Sequence, residues 1–100
     1  MNISFKEDNN NLIAIVAGRI DTLTSNEFEQ ALLPKITASM NTITIDLAAV
    51  DYISSTGLRV FIVAQKKAMS FHKSLLIKHA QETVYDVFSV SGLVPLFEFE

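Results

Sequence analysis

The sequence contains no cysteine, no tryptophan, two prolines and three glycines in 100 residues. Without cysteine the chain can form no disulfide, no thiolate metal site and no thiol nucleophile, which fits a reducing compartment. The three glycines do not have the spacing of a phosphate-cradling loop for nucleotides. These absences exclude several classes of enzyme and metal protein, and we expect neither a cofactor nor a metal ion.

Long apolar runs and a strong net charge are also missing. The longest apolar runs, such as Leu12 to Ala17 and Val60 to Ala64, are far short of the ~20 residues that span a bilayer. The first residues have no basic segment followed by an apolar stretch, which a secretion signal would require. Eight Lys and Arg against eleven Asp and Glu give a net charge of −3, the wrong sign for attracting phosphate backbones. We therefore expect a cytoplasmic protein that neither inserts into membranes nor binds nucleic acid.

The composition is typical of a chain that buries a core. Apolar residues make up 49% and charged residues 19%, and such a balance does not favour disorder. No linker, repeat or low-complexity segment divides the sequence, and its length fits one domain. A single domain over residues 1–100 is predicted.

Segments with strand and helix patterns alternate along the chain. The turn-forming run Asp8 to Asn11 predicts a hairpin between two strands, the second buried on both faces and ending at Gly18. Further strands are predicted at Ile43 to Leu47, at Leu75 to Lys78 and, at an edge, at Leu96 to Phe99. This order predicts an α/β fold with a mixed, mostly parallel sheet of four to five strands and interspersed helices.

The first helix has the clearest local signals. Thr24 is expected to cap it, with Glu27 as the capping-box partner. Leu23 and Phe28 flank this start at the spacing of a hydrophobic staple, which predicts that they pack together. Pro34 lacks an amide hydrogen, so it either kinks this helix or marks its last turn.

Two more helices are predicted. A loop at Val50 to Gly57 leads into a helix from Leu58 to about Met69. The apolar spacing of Val84 and Phe88 predicts a third helix, which a left-handed Gly92 stops. The second helix is apolar over more than one stripe, so either neighbouring helices or a partner protein must cover it.

Catalysis is difficult to build from these residues. A nucleophilic serine needs a base, and the only histidines are His72 and His79, without a Gly-x-Ser-x-Gly motif. Asp21, Asp46 and Asp51 are not placed as an acid and base pair, and no metal-ligand spacing is present. We therefore expect a protein that is acted upon and is not an enzyme.

Hydroxyl side chains gather at the predicted start of the second helix. Ser54, Ser55 and Thr56 precede Gly57 there, where free amides and the helix dipole favour an anion. These residue types are also ordinary helix caps. From the residues alone, a phosphate site and a plain helix start both remain open.

Three segments together resemble a STAS domain, namely Gly18 to Asp21, Asp51 to Val60 and Val87 to Leu93. More closely, the whole chain is similar to the bacterial anti-sigma factor antagonists. The resemblance implies a small α/β domain that, when unphosphorylated, binds an anti-sigma factor with serine kinase activity and thereby releases a sigma factor. It also implies that the kinase phosphorylates a serine at the amino end of the second helix, and that a serine phosphatase removes the phosphate.

The resemblance also suggests roles for individual residues. Ser55 matches the phosphorylated serine, and Asp21 matches an acidic position in the partner-binding loop. Ser54 stands where the best-known members have an aspartate, so Ser54 is the second choice for phosphorylation. This departure keeps an alternative open, a STAS subunit of a transport or sensory complex that is never phosphorylated. The predicted partner-binding residues are Asp21, Thr22, Ser54, Ser55, Thr56, Gly57, Arg59 and Val60.

Overall fold

The computed structural model describes residues 1–100, and it contains the predicted amino-terminal hairpin. Strand β1 (Asn2–Asp8) pairs antiparallel with β2 (Asn11–Ile20). The two residues of the turn, Asn9 and Asn10, have φ angles of 51° and 64°. Asparagine adopts this left-handed conformation more readily than most residues, and the two-residue turn therefore fixes the pairing of the strands.

The remaining elements alternate as the sequence predicts. They are α1 (Ser25–Leu32), β3 (Thr42–Ile53), α2 (Ser55–Ser70), β4 (Leu75–Lys78), α3 (Glu82–Val90) and β5 (Glu98–Phe99). The sheet order is β1-β2-β3-β4-β5, and all pairs from β2 to β5 are parallel. The predicted mixed, mostly parallel sheet is confirmed. None of the helices has the length and apolar character needed to cross a membrane.

Strand β2 is buried on one face only, which corrects the prediction of burial on both. Leu12, Ala14 and Val16 are fully buried, whereas Ile13 between them is 37% exposed. Parallel neighbours that follow one another in the chain, joined by crossovers of the same hand, place their helices on the same face. The opposite face of the sheet is therefore left without a helical layer.

Two strand ends differ from the predictions. Strand β2 does not end at Gly18 but continues to Ile20, and Gly18 takes a φ of 103° with the Met1 backbone close beside it. Strand β3 does not end at Leu47 but continues to Ile53, so half of the predicted loop is strand. Helix α2 in turn begins at Ser55, three residues before the predicted Leu58. The register between β2 and β3 shifts twice in this region, which removes the simple alternation that identifies a strand.

The helix boundaries agree better with the sequence. Helix α1 ends ahead of Pro34, which lies in a single 3₁₀ turn over Leu33–Lys35. Helix α3 ends as predicted before Gly92, which has a φ of 73°. The Leu93 amide there donates to the Phe88 carbonyl at 2.9 Å. A second 3₁₀ turn, Val94–Leu96, shortens the predicted last strand to two residues.

The core lies between the sheet and the three helices. Phe61 of α2 is fully buried at its centre, with its ring centroid 5.4 Å from that of Phe28 and 5.2 Å from that of Phe88. Val60 and Ala64 are buried as well, so the chain itself covers much of the wide apolar surface of α2. Met69, in the last turn of α2, is 56% exposed.

Candidate functional site

The ends of β2 and β3 bring the two predicted site segments together. Ile20 pairs with Ile53 in the sheet register, and the Ser54 amide donates to the Ile20 carbonyl at 2.8 Å. The loop that leaves β2 and the start of α2 therefore lie side by side at the carboxyl edge of the sheet. Ligands and partners of α/β folds usually bind at this edge.

Ser54 is the cap of α2. Its backbone is extended, with φ of −93° and ψ of 172°, and its hydroxyl accepts a hydrogen bond from the Gly57 amide at 3.1 Å. The amides of Ser55 and Thr56 also belong to the first turn, where no preceding helical carbonyl is available to accept from them. The helix start therefore carries a partial positive charge.

A directed chain of hydroxyl groups links α2 to α1. Ser25 Oγ donates its only proton to the Asp21 carbonyl at 2.5 Å, so it must accept from Thr56 Oγ1, 3.1 Å away. Thr56 has then used its own proton and must accept from Ser54 Oγ, 2.7 Å away. The Ser54 hydroxyl therefore donates its proton to Thr56 Oγ1, and its oxygen accepts from the Gly57 amide as the helix cap.

The Ser55 hydroxyl, unlike those of Ser54 and Thr56, makes no side-chain hydrogen bond within the chain. Ser55 is the first residue of α2 and is exposed to solvent. The side-chain hydrogen bonds here join Ser54, Thr56 and Ser25 and do not include Ser55. Ser54 is half-buried by comparison. A second molecule can therefore reach the Ser55 hydroxyl without breaking a bond of the fold.

Asp21 organises the neighbouring loop. Its carboxylate Oδ1 accepts from the amides of Leu23 and Thr24, both at 3.0 Å, and lies 3.2 Å from Thr24 Oγ1. The Thr24 amide is the main cause of a pKa of Asp21 below its ordinary value, although partial burial opposes the shift. Thr24 thus stands at the predicted cap position of α1, but its side chain caps nothing in the helix. Its hydroxyl instead accepts from the Asp21 amide and donates to the Arg19 carbonyl.

Arg19 adds a fixed positive charge beside Asp21. Its Nε lies 3.8 Å from Asp21 Oδ2, and its guanidinium carbon lies 4.2 Å from the centroid of the Tyr52 ring. A guanidinium stacked on an aromatic ring loses freedom but keeps its charge. Arg19 therefore makes a small further contribution to the lowered pKa of Asp21.

Gly57 and Val60 are predicted to contact a partner, but both are buried. Gly57 is buried, and a Cβ atom there would lie 2.7 Å from Ile20 Cγ2 and 2.9 Å from Ile53 Cγ1. Val60 is only 2% exposed. These two residues instead bring the start of α2 close to the sheet, which sets the position of the exposed Ser55.

Several of the other predicted residues line a shallow depression between α1 and α2. Thr22, Thr56 and Arg59 border this space of about 170 Å³ together with Glu29. Its small size does not suit a cofactor, and no group of three or more His, Asp or Glu side chains in the chain is placed to hold a metal ion. The depression fits the edge of a protein contact better than a small-molecule site.

Two residues of the site do not follow from the sequence predictions. Ser25, the first residue of α1, is 5% exposed and joins the hydroxyl chain. The only signal for it in the sequence is the hydroxyl-rich segment Thr22 to Ser25. Leu23 was predicted to pack on Phe28, but it is 89% exposed. The prediction is wrong because the Asp21 carboxylate, and not the Thr24 side chain, sets the turn before α1.

Comparisons with known proteins give the family of the chain. The family model of the STAS domain matches residues 2–100. The anti-sigma-B factor antagonist of Listeria monocytogenes is 30% identical over 103 residues, which cover 100% of this chain and 90% of the relative.

Solved structures show the same fold. Unphosphorylated SpoIIAA, an anti-sigma factor antagonist, has a TM-score of 0.83 at 15% identity, covering 99% of this chain and 88% of that one. The phosphorylated form of the Bacillus cell fate determinant SpoIIAA has a TM-score of 0.75 at 14% identity, covering 99% and 91%. At these identities the structures establish the fold, and the sequence relative establishes the group. The chain therefore belongs to the STAS domain family, within the anti-sigma factor antagonists.

Proposed function

We propose that the chain is a binding module switched by phosphorylation. Unphosphorylated, it binds an anti-sigma factor that is a serine kinase, and a sigma factor is released. Phosphorylation of Ser55 by that kinase ends the binding, and a serine phosphatase restores it. The observation that supports this most directly is the exposed, unpaired hydroxyl of Ser55 at the start of α2.

In the phosphoryl transfer, this chain supplies only the accepting hydroxyl. The γ-phosphoryl group of ATP moves to Ser55 Oγ, ADP leaves, and the hydroxyl proton passes to a base of the kinase. The phosphoserine adds a charge of about −1.5 to −2 at neutral pH. Because the free amides of Ser55 and Thr56 and the helix dipole favour an anion, the domain stays folded after modification.

The effect falls on the binding surface. A dianion in the middle of a protein contact must lose its water, and an unpaired buried charge is strongly unfavourable. The ionised carboxylate of Asp21 on the neighbouring loop adds repulsion of the same sign. Phosphorylation therefore weakens docking without unfolding either partner.

Ser55 is favoured over Ser54 on hydrogen-bonding grounds. Ser54 Oγ accepts from the Gly57 amide and donates to Thr56, and Ser54 is half-buried. Transfer to Ser54 would require breaking both bonds, and the loss of such a cap costs about 1 kcal/mol. Transfer to Ser55 breaks no bond within the chain.

Phosphate mapping tests the choice of residue. The purified chain is incubated with ATP and each anti-sigma factor serine kinase of its host, and the modified residue is located by mass spectrometry. We expect phosphate on Ser55, no modification of Ser55→Ala and normal modification of Ser54→Ala. Phosphate on Ser54 alone would refute the assignment, and a chain that binds its partner but is never phosphorylated would favour the alternative of a constitutive subunit.

An affinity measurement tests the switch. We expect Ser55→Asp to weaken binding of the cognate kinase about 100-fold or more, the scale of an unpaired buried charge. Ser39→Asp is the matched control, because Ser39 is exposed in the segment that enters β3, at the opposite edge of the sheet. Equal affinities of Ser55→Asp and the wild-type chain, by titration calorimetry, would contradict the proposal.

A further inference from the structure

The β2–α1 loop presents a large apolar side chain to solvent. Leu23 is 89% exposed, so it does not pack against the buried Phe28 as a hydrophobic staple would require. Val90 is also 89% exposed, but it ends α3. Since α3 connects the parallel strands β4 and β5, its last residue lies toward the amino edge of the sheet, away from the site. Leu23 is therefore the most exposed large apolar side chain at the carboxyl edge of the sheet, where Ser55 also lies.

Hydrogen bonds hold Leu23 in this outward position. Its amide donates to Asp21 Oδ1 at 3.0 Å, and the same oxygen accepts from the Thr24 amide at 3.0 Å. The Thr24 hydroxyl donates to the Arg19 carbonyl at 2.7 Å and so ties the turn back to β2. A side chain on a loop that is already ordered loses little freedom when it is bound, which favours a role in recognition.

The loop that carries Leu23 is joined to the switch. Ser25, two residues later, accepts from Thr56 in the first turn of α2. Leu23 and Ser55 are thus presented by two segments that are held together, and the ionised Asp21 lies two residues before Leu23 in the same loop. Leu23, Asp21 and Ser55 therefore all lie at the carboxyl edge of the sheet, where one partner surface can cover them.

We propose that Leu23 is an apolar anchor of the partner interface. The partner fitting it is a protein with an apolar pocket of the size of a leucine side chain, bordered by a cationic group that pairs with Asp21. This inference rests on the proposed function, because it assigns an affinity-determining contact to the same binding event. It gives the interface an attractive element separate from the phosphate switch, and that element persists in both states of Ser55.

Binding measurements with substitutions at Leu23 test the anchor. The probes are the purified anti-sigma factor kinases of the host, each titrated by calorimetry with the wild-type chain, Leu23→Ala and the near-isosteric, uncharged Leu23→Asn. Burial of a leucine side chain corresponds to about 10- to 100-fold in affinity, which is the weakening we expect for both variants. Leu23→Met, similar in volume and also apolar, retains most of the affinity.

Val90→Ala serves as the matched control, because it removes an equally exposed apolar side chain at the other end of the molecule. We expect wild-type affinity for it. Wild-type affinity of Leu23→Asn would overturn the inference. Sedimentation of the wild-type chain as a dimer that Leu23→Asn dissociates would also overturn it, since a second copy would then cover the leucine.

The parallel titration of Ser55→Asp separates the two proposals. If only Leu23→Asn weakens binding of the kinase, the result supports the anchor and refutes the phosphorylation switch. If only Ser55→Asp weakens binding, the result supports the switch and refutes the anchor.

Discussion

At the scale of single residues, the number of protons on each hydroxyl decides which serine is free. Ser25, Thr56 and Ser54 each have one proton, and each donates it to the next oxygen of the chain that ends at the Asp21 carbonyl. No such constraint applies to Ser55. Two adjacent serines of identical chemistry thus differ in role because only one of them is part of the fold.

The Asp21 carboxylate gives a prediction about pH. Its pKa is lowered from 3.8 in the folded chain, chiefly by the Thr24 amide, so its ionised form stabilises the fold above that value. This stabilisation is lost as the pH falls through the lower, folded pKa. We expect Asp21→Asn to unfold at a lower urea concentration than the wild-type chain at pH 7.

The same two proteins at low pH provide the control. Once the pH lies below the folded pKa of Asp21, the carboxyl is neutral in both the folded and the unfolded chain. The difference between the urea midpoints of wild type and Asp21→Asn should therefore shrink there. A difference that stays constant from pH 7 down to that acidic range would show that the ionised carboxylate does not stabilise the turn.

At the scale of elements, the position of α2 depends on Gly57, which has no side chain. Alanine at position 57 would gain up to about 1 kcal/mol in helix propensity over glycine. Its Cβ, however, would meet Ile20 Cγ2 at 2.7 Å and the Ile20 carbonyl oxygen at 3.2 Å, and overpacking of this kind costs about 1–3 kcal/mol. We expect Gly57→Ala to lower the free energy of unfolding, as measured by urea denaturation.

Ser55→Ala is the control for that experiment. It lies in the same turn but is exposed, so it changes helix propensity without a steric clash, and its free energy of unfolding should stay within about 0.5 kcal/mol of wild type. Gly57→Ala should also bind the partner more weakly, because the start of α2 is pushed away from β2. A stabilised Gly57→Ala would mean that propensity outweighs the contact with Ile20.

The sequence predicts those elements that depend on local interactions. The hairpin at Asn9 and Asn10, the stop at Gly92 and the serine cap of α2 all follow from conformations or bonds within a few residues. Ser55 is predicted at the start of α2 for the same reason. Its exposure, however, is known only from the structure.

Features that depend on distant residues are missed. The second half of β3 shows burial at Val50 and Ile53 with two exposed residues between them. Register shifts against β2 cause this spacing, and they cannot be read from one strand alone. Leu23 is missed because the turn that holds it outward depends on which of two side chains, Asp21 or Thr24, bonds to the loop.

At the scale of the whole molecule, one aromatic cluster joins elements from the middle and the end of the chain. The Phe61 ring of α2 contacts Phe28 of α1 and Phe88 of α3, and its centroid lies 6.2 Å from that of Phe97 next to β5. The candidate site around Ser55 lies at the carboxyl edge of the sheet, and none of these rings belongs to it. Stability and partner binding should therefore respond to different substitutions.

Phe61→Leu tests this separation. Phe61 is fully buried in a cluster that all three helices share, so we expect the smaller side chain to lower the free energy of unfolding by about 1–3 kcal/mol, through lost contacts and a residual cavity. Phe5→Leu is the matched control: Phe5 is half-buried on the outer strand β1, and the same change should cost less than half as much. Because the hydroxyl chain around Ser54 and Thr56 does not touch these rings, folded Phe61→Leu should bind the partner with wild-type affinity at a temperature well below its unfolding midpoint. A loss of affinity in the folded variant would show instead that the core sets the position of α2 and couples directly to the switch.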